Sequence, residues 1–338
     1  MLLVTGATGF LGRTLLHALC ADARVSPAEI RVLVRDAAAW RGQADAQLAQ
    51  LIPIEGTLAD VPRWGAALAP GSCRGIFHLA ATVRHSRRDD DVVATWQINV
   101  EGSRAMAALA GRLGARLLLI STSGTVACSR QPHRRPDESA PYASDVVHRW
   151  PYYRSKIAAE QAARALLPED GQLVVARPPI LLGPGDVLYR STSTVVRFLR
   201  GGVPFVLSGG IAFVDVRDAA DTLVAAMLAP SVPPVLHLPG HDMSLADYFG
   251  RLARLSGRRP PRFALADGLA RTLAHASAQW ARWRRSPHAF LEPITVEMGQ
   301  HFWGLSSRHA AALGHAPRPL EQTLGDTVTD LRQRRHDL

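Results

Sequence analysis

Tyr152 and Lys156 stand four residues apart in Tyr152-Tyr153-Arg154-Ser155-Lys156. On a helix that spacing puts them on one face. An ammonium beside a phenol favours the phenolate and lowers a pKa that starts near about 10. The pair therefore suits a general acid or base working near neutral pH. The same spacing also arises by chance on a helix surface, and composition weighs against chance here. Of the 39 Lys and Arg residues, Lys156 is the only lysine. A position that keeps lysine where arginine serves everywhere else asks for a compact ammonium, not a planar guanidinium. Tyr153 has no lysine at the matching spacing and reads as a structural residue or part of a substrate wall. Upstream, Ser121-Thr122-Ser123 offers hydroxyls that could donate to a carbonyl oxygen and share the charge developing on it. Without the Tyr–Lys pair that cluster would read as a turn.

The elements that must position these groups begin at the first residues. Leu2 to Thr5 is an apolar run suited to a buried strand, and Gly6-Ala7-Thr8-Gly9-Phe10-Leu11-Gly12 follows at once. A helix then runs from Arg13 to Cys20, with Leu11, Leu15, Leu16 and Leu19 on one face. Strand, glycine loop and helix form the context in which a glycine motif binds a dinucleotide pyrophosphate. Further strands are predicted at Ile30–Val34, Leu51–Ile54, Gly75 onward, Arg116–Ser121, Gln172–Ala176 and Val235–Leu238. Helices are predicted over Asp91–Leu113 and Tyr152–Leu167, and from an N-cap at Asp218 to about Leu228. This alternation predicts an α/β fold, a doubly wound parallel sheet of the Rossmann type, with ligands beyond the carboxyl ends of its strands. After Arg177 the pattern loosens. Residues 1–180 and 213–240 are read as the dinucleotide-binding domain, and 181–212 with 241–338 as a smaller, mostly helical substrate-binding lobe.

Composition narrows the function classes. The chain has 338 residues, is 47% hydrophobic and carries a net charge of +10. No apolar run approaches the length of a membrane span. Nothing precedes the first strand, and Cys20, Cys73 and Cys128 form no CxxC pair, so a cytoplasmic location is expected. Cys128 reads as a packing residue, and no metal site is read from the histidines. Residues 251–290 hold nine arginines against the single acid Asp267. A solvated basic surface is one reading. Attraction to an anionic handle on the substrate, or to a membrane surface, is the other. Leu265, Leu269, Leu273, Ala276, Trp280 and Trp283 recur near helical spacing with Arg271, Arg282, Arg284 and Arg285 between them. That pattern suits a helix packed on the second lobe, or alternatively an interfacial helix or a lid. No nucleic-acid reader motif is present.

Taken in order, several segments resemble the extended short-chain dehydrogenase/reductase family, and dihydroflavonol-reductase-like members most. They are Thr5 to Gly12, Phe77-His78-Leu79-Ala80-Ala81, Asn99-Val100-Glu101-Gly102, Ser121-Thr122-Ser123, Tyr152 to Lys156, Arg177-Pro178 with Gly183-Pro184-Gly185, and Phe213 to Asp218. Leu313-Gly314 and Pro317 to Glu321 also match its C-terminal signature. The resemblance implies that Tyr152 is the acid/base, that Lys156 holds the nicotinamide ribose and tunes Tyr152, and that Ser123, third of its run, is the catalytic hydroxyl. Asn99 would be a helix-kinking or architectural residue near the site, and His78 a strand-end residue beside the cofactor. Gly6, Thr8, Gly9, Phe10, Leu11, Arg35, Thr57, Leu58, Leu79, Ala80, Ala81 and Pro178 would line the cofactor together with Tyr152 and Lys156. Arg35 after the second strand suits the 2′-phosphate of NADP, whereas Asp36, if it faced the ribose, would favour NAD. Gly56-Thr57-Leu58 replaces the family's Gly-Asp-Leu. Gly124-Thr125 stands where sugar-nucleotide dehydratases carry an acidic pair. The expected activity is NADP(H)-dependent reduction of a carbonyl on a small molecule, with Tyr152 as general acid. The alternative is a sugar-nucleotide epimerase or hydroxysteroid-type dehydrogenase on the same scaffold. The resemblance also suggests a homodimer, and Arg84-His85-Ser86-Arg87-Arg88 lies where members line the substrate pocket.

Overall fold

The computed structural model describes residues 1–167, 172–284, 286, 289–335 and 337–338. Arg285 lies outside them. Its strands are β1 (Leu2–Thr5), β2 (Ile30–Val34), β3 (Ile52–Glu55), β4 (Gly75–His78), β5 (Arg116–Ile120), β6 (Leu173–Arg177), β7 (Ile180–Leu182), β8 (Phe205–Val206), β9 (Gly210–Asp215), β10 (Val235–His237), β11 (His241–Ser244) and β12 (Phe263–Ala264). The helices are α1 (Phe10–Ala21), α2 (Ala37–Gln43), α3 (Val61–Gly65), α4 (Asp89–Trp96), α5 (Gly102–Leu113), α6 (Ser144–Val147), α7 (Pro151–Arg164), α8 (Ser193–Leu199), α9 (Val216–Leu228), α10 (Leu245–Ser256), α11 (Asp267–Trp283), α12 (Pro293–Met298) and α13 (Leu320–Arg334).

Seven strands form one parallel sheet in the order β10-β6-β5-β4-β1-β2-β3. The chain winds one way from β1 to β3 and the other way from β4 to β6. The switch lies between β1 and β4, where a crevice opens. Strands buried on both faces are continuous apolar runs, as Leu2-Leu3-Val4 and Leu117-Leu118-Leu119 are. On one side α1 buries Leu11, Leu15, Leu16 and Leu19, the face expected from the sequence, and packs on α9. On the other side α5 buries Met106, Leu109, Ala110 and Leu113 against Leu3, Ile76 and Leu117. The helix expected over Asp91–Leu113 is interrupted by a π turn at Gln97–Glu101. That extra residue per turn re-aims Asn99 into the interior.

A second core holds Leu182, Val195, Phe198, Leu199, Phe213, Tyr248, Leu252, Leu324 and Leu331, contributed by β7, α8, β9, α10 and α13. Here β9 pairs with β7 and β11 in a separate sheet. Part of the segment expected to extend the dinucleotide-binding unit from residue 213 therefore joins the smaller one, while α9 and β10 return to the large sheet. The cap of α9 also differs from expectation. Asp215, not Asp218, accepts from the Arg217 N–H at the helix start (2.9 Å). Asp218 sits inside the helix and receives the Arg318 backbone N–H (2.7 Å) and guanidinium (2.6 Å), tying down the C-terminal signature.

The loop after β1 is built by close approach. Gly6 has φ +73°, and a Cβ there would lie 2.7 Å from the Ala80 nitrogen; a Cβ on Gly12 would lie 2.1 Å from the Gly6 oxygen. Backbone, not a flexible side chain, fills both spaces, so neither position admits a methyl group. Gly12→Ala should therefore cost about 1–3 kcal/mol, the scale of overpacking, and should abolish dinucleotide binding. Denaturant unfolding and cofactor titration of the variant measure the two effects.

Candidate active site

Each predicted site residue falls at the carboxyl edge of the parallel sheet. The turn after β1 carries Gly6, Thr8 and Gly9, and Leu79-Ala80 after β4 lies against Gly6. The hydroxyl of Thr5 joins the two strand ends. It accepts from the Ala80 N–H (3.2 Å) and lies 2.8 Å from Nδ1 of His78, whose Nε2 lies 3.2 Å from the Ser103 hydroxyl. Ser103 in turn donates to the Asn99 carbonyl (2.6 Å). Donor order along this chain makes Nε2 the protonated nitrogen. Burial, with Lys156 nearby, pushes His78 down to about 3, so it is neutral and architectural.

The first turn of α1 is suited to an anion. Gly9 caps it without a side-chain hydrogen bond, and the turn contains no acid. Its free N–H groups and positive dipole end face the crevice. Phe10 packs under Gly185. Beyond β2, Asp36 is the N-cap of α2, accepting from the Ala39 N–H (2.8 Å). Its carboxylate is thereby engaged, while Arg35 is exposed and makes no ion pair among the described residues. Thr57 is exposed and donates to Asp60 (2.7 Å), and Leu58 packs on Gly102. Pro178 is buried beyond β6, and its carbonyl receives the Ser123 N–H (2.8 Å). These features fit a dinucleotide, with the pyrophosphate at the α1 terminus and the adenosine end towards Arg35.

Tyr152, Lys156 and Glu160 follow one another at single-turn spacing on α7. Lys156 is buried, and its Nζ donates to the Ile120 carbonyl (2.8 Å). Of its three donors, this is the one bound within the chain among the described residues, which leaves donors for ribose hydroxyls. Burial pushes its pKa down to about 8, with the Glu160 carboxylate acting in the opposite direction. Glu160 is fully buried. It takes hydrogen bonds from the Ser121 hydroxyl, from Tyr142 (2.9 Å), and from the Arg177 guanidinium at 3.1 and 2.6 Å. The spacing of four between Lys156 and Glu160 is visible in the sequence, but the partners that bury the carboxylate are not. Asn99 steadies the other side of the helix. Its Nδ2 donates to Ser155 (2.9 Å) and to the Thr82 carbonyl (3.0 Å), and its Oδ1 accepts from the Thr82 N–H (2.8 Å).

One expectation changes. An ammonium was expected to lower the Tyr152 pKa; instead burial dominates and pushes it up to about 12, with a hydrogen bond to the Thr122 side chain opposing the rise. Lys156 is turned to the Ile120 carbonyl, so in this state the phenol keeps its proton. Beside Ser123, the expected partner hydroxyl, the Thr122 side chain also lies close to Tyr152. The turn Ser123–Thr125 begins at Thr122, two residues beyond β5 and with extended backbone. Ser123 is buried one residue further on, with its carbonyl accepting from Val126 and Ala127.

The wall opposite the sheet edge is aromatic. His85 meets Tyr152 edge-to-face with centroids 5.4 Å apart, and Tyr153 stacks on Trp303 at 5.3 Å. Burial pushes His85 down to about 4, so it is neutral, although the residue retains an exposed surface in the cleft. Trp150, Ile294 and Met298 complete the cluster. Two of the three arginines around His85 are engaged. Arg84 pairs with Asp91, and Arg87 pairs with Glu297 (2.7 Å), which also accepts from Trp150 Nε1 (3.0 Å). A Cβ on Gly124 would lie 2.1 Å from the Tyr153 ring. That contact accounts for the glycine where a dehydratase would carry an acid. The Cys128 thiol is buried and pushed up to about 12, as befits a packing residue.

The model of the NAD dependent epimerase/dehydratase family matches residues 2–237. The chain belongs to this family. It is an NAD(P)-dependent oxidoreductase of the extended short-chain dehydrogenase/reductase type. It is 26% identical to a putative dihydroflavonol 4-reductase of Synechocystis sp., over 96% of this chain and 92% of that protein. It is 26% identical to sterol demethylase protein B of Methylococcus capsulatus, over 98% of each chain. A ceramide reductase of Caulobacter vibrioides is 32% identical over 67% of this chain and 61% of its own length. The crystal structure of gox2253 superposes with a TM-score of 0.79 at 25% identity, covering 99% of this chain and 98% of that one.

The Lys156–Glu160 coupling has a measurable consequence. Catalysis that needs the ammonium should be constant at low pH and fall as pH rises through about 8. Glu160→Gln removes the charge that holds the ammonium protonated, so this alkaline limb should move to lower pH. Leaving Arg177 buried without its partner should also cost about 3–5 kcal/mol of stability. pH–rate profiles and unfolding curves of the two proteins test both shifts.

Proposed function

We propose that this oxidoreductase reduces the carbonyl of an apolar small molecule, with NADPH as donor and Tyr152 as general acid. The observation that carries the reading is the protonated, buried Tyr152 phenol beside the Thr122 hydroxyl, one helical turn from Lys156. A bound nicotinamide cofactor supplies the hydride. The chain's own residues do the rest. Thr122 and Tyr152 are placed to donate to one substrate oxygen, and Tyr152 releases its proton to that oxygen as it gains negative charge. Lys156, charged below about pH 8, stabilises the phenolate that remains and holds the ribose. His85, Tyr153 and Trp303 provide a wall that excludes water and suits a flat or greasy substrate. Because Arg84 and Arg87 are committed to carboxylates, neither offers its charge to an anionic handle on the substrate. The reductase names of two full-length or partial relatives point the same way, and the relatives named for a ceramide and a sterol act on lipids. An elimination reaction finds little support, since the Tyr153 ring fills the space an acid at position 124 would need.

Tyr152→Phe should retain fold and cofactor affinity and lose about a hundredfold or more in turnover. Thr122→Val should lose at least tenfold, and Ser123→Ala little. Steady-state rates with a panel of apolar ketones and aldehydes measure this, and a larger loss in Ser123→Ala than in Thr122→Val would return the hydroxyl role to Ser123.

Arg35 provides the cofactor test. Its guanidinium suits the 2′-phosphate, a pairing only NADPH can make. Arg35→Ala should weaken NADPH binding by about tenfold or more and leave NADH nearly unchanged, as read by nucleotide fluorescence titration. Equal losses for both nucleotides would remove the support for NADP.

A further inference from the structure

Helix α11 (Asp267–Trp283) turns its small side chains inward and its large apolar ones outward. Ala270, Ala274 and Ala281 are buried, whereas Leu269 is 53%, Leu273 42%, Trp280 56% and Trp283 77% exposed. At 3.6 residues per turn, Leu269, Leu273, Ala276, Trp280 and Trp283 fall within about 80° of arc. They form one continuous stripe, roughly a third of a turn away from the alanine face that packs on the protein. Phe290, 72% exposed, and Phe263, 54% exposed, flank it in sequence. Two tryptophans and two leucines left in water along one helix face exceed the scattered apolar exposure normal for a monomer surface.

The charge of the segment that carries the stripe, residues 251–290, identifies what would cover it. Arg258, Arg259, Arg262, Arg282 and Arg284 are all exposed. Asp267, the single acid in residues 251–290, is engaged by Ser208 (2.5 Å) and Arg130 (3.3 Å). The guanidinium of Arg284 lies 4.9 Å from the Trp280 ring and 5.9 Å from the Trp283 ring. Aromatic rings with arginines beside an aliphatic stripe match the headgroup level of a bilayer, where rings sit half-buried and cations meet lipid phosphates. No helix among the described residues is long and apolar enough to cross a membrane, so the contact would lie on the surface.

We propose that α11 docks this enzyme in the interfacial plane of an anionic lipid bilayer. The inward face of α11 packs on α12, whose Ile294 and Met298 belong to the aromatic cluster around Tyr152 and Tyr153. Docking would thus set the wall of the catalytic cleft one helix away from the lipid. The proposal does not depend on which carbonyl the enzyme reduces.

The test is flotation of the purified full-length protein with vesicles of phosphatidylcholine alone, and of phosphatidylcholine with an equal part of phosphatidylglycerol. Binding to the anionic vesicles should exceed binding to the neutral ones by at least tenfold and weaken with added salt. Leu273→Ser with Trp280→Ser and Trp283→Ser should lower it by at least tenfold. Arg258→Gln, Arg259→Gln and Arg262→Gln should each lower it by about fivefold. Both sets should leave the melting temperature, NADPH affinity and turnover of a water-soluble carbonyl compound unchanged. No binding to anionic vesicles, or binding that survives the Trp and Leu substitutions, overturns the proposal. So does a wild-type oligomer that the Trp substitutions dissociate, because the stripe would then face a second copy of the chain.

Discussion

A single buried carboxylate joins the parts of this active site. Glu160 on α7 receives hydrogen bonds from Ser121 at the end of β5, from Arg177 at the end of β6, and from Tyr142 in the segment between them. A carboxylate and a guanidinium taken out of water must satisfy one another closely, and the paired hydrogen bonds from Arg177 do so. The geometry is demanding because every partner is fixed in a strand end or a helix. It sets the height of α7 on the sheet edge. Lys156 and Tyr152 lie one and two turns earlier on that helix, so their distance from the β5 edge follows from the same constraint. The charge of Glu160 also opposes the burial that would otherwise strip Lys156 of its proton.

The opposite side of α7 is set by the π turn. One additional residue at Gln97–Glu101 directs the Asn99 amide at Ser155 and at the Thr82 backbone. The loop beyond β4 is therefore held from its first residues, and Arg87 anchors its far end on Glu297 of α12. His85 is carried between these anchors against Tyr152. A second link between the sheet edge and the C-terminal half is the antiparallel bridge between Ser129 and Phe302. It brings Trp303 to Tyr153. The tyrosine ring then lies on the bare backbone of Gly124. Shape and chemistry meet at that glycine, since the same lack of a side chain admits the aromatic wall and leaves no acid beside the reacting group.

Much of the fold could be read directly. Strands buried on both faces are nearly uninterrupted in apolar residues, and the leucine face of α1 repeats at helical spacing, so both survive any tertiary context. The elements that deviated did so where distant contacts act. Asp218 has the chemistry of a helix cap, but Arg318, a hundred residues away, claims it. Strand β9 follows an apolar pattern that says nothing about which sheet it will enter, and it joins β7 and β11. The break in the helix before Gly102 is stabilised by what Asn99 bonds to, Ser155 and the Thr82 backbone, which are distant in sequence.

By itself the sequence determined the chemistry available and its address. The glycine loop after β1, the Tyr152–Lys156 spacing on a helix, the lone lysine and the hydroxyl run after β5 are local features. Local spacing is enough to specify them. Tertiary structure decided which of these groups meet and in what protonation state. It set the Thr122 side chain beside Tyr152, a neighbour that spacing alone does not name. It turned Asp36 into a helix cap and left Arg35 free at the β2 end. It pushed Tyr152 up where a lysine neighbour had suggested the reverse, since desolvation depends on everything packed around the ring, and sequence spacing carries no record of that.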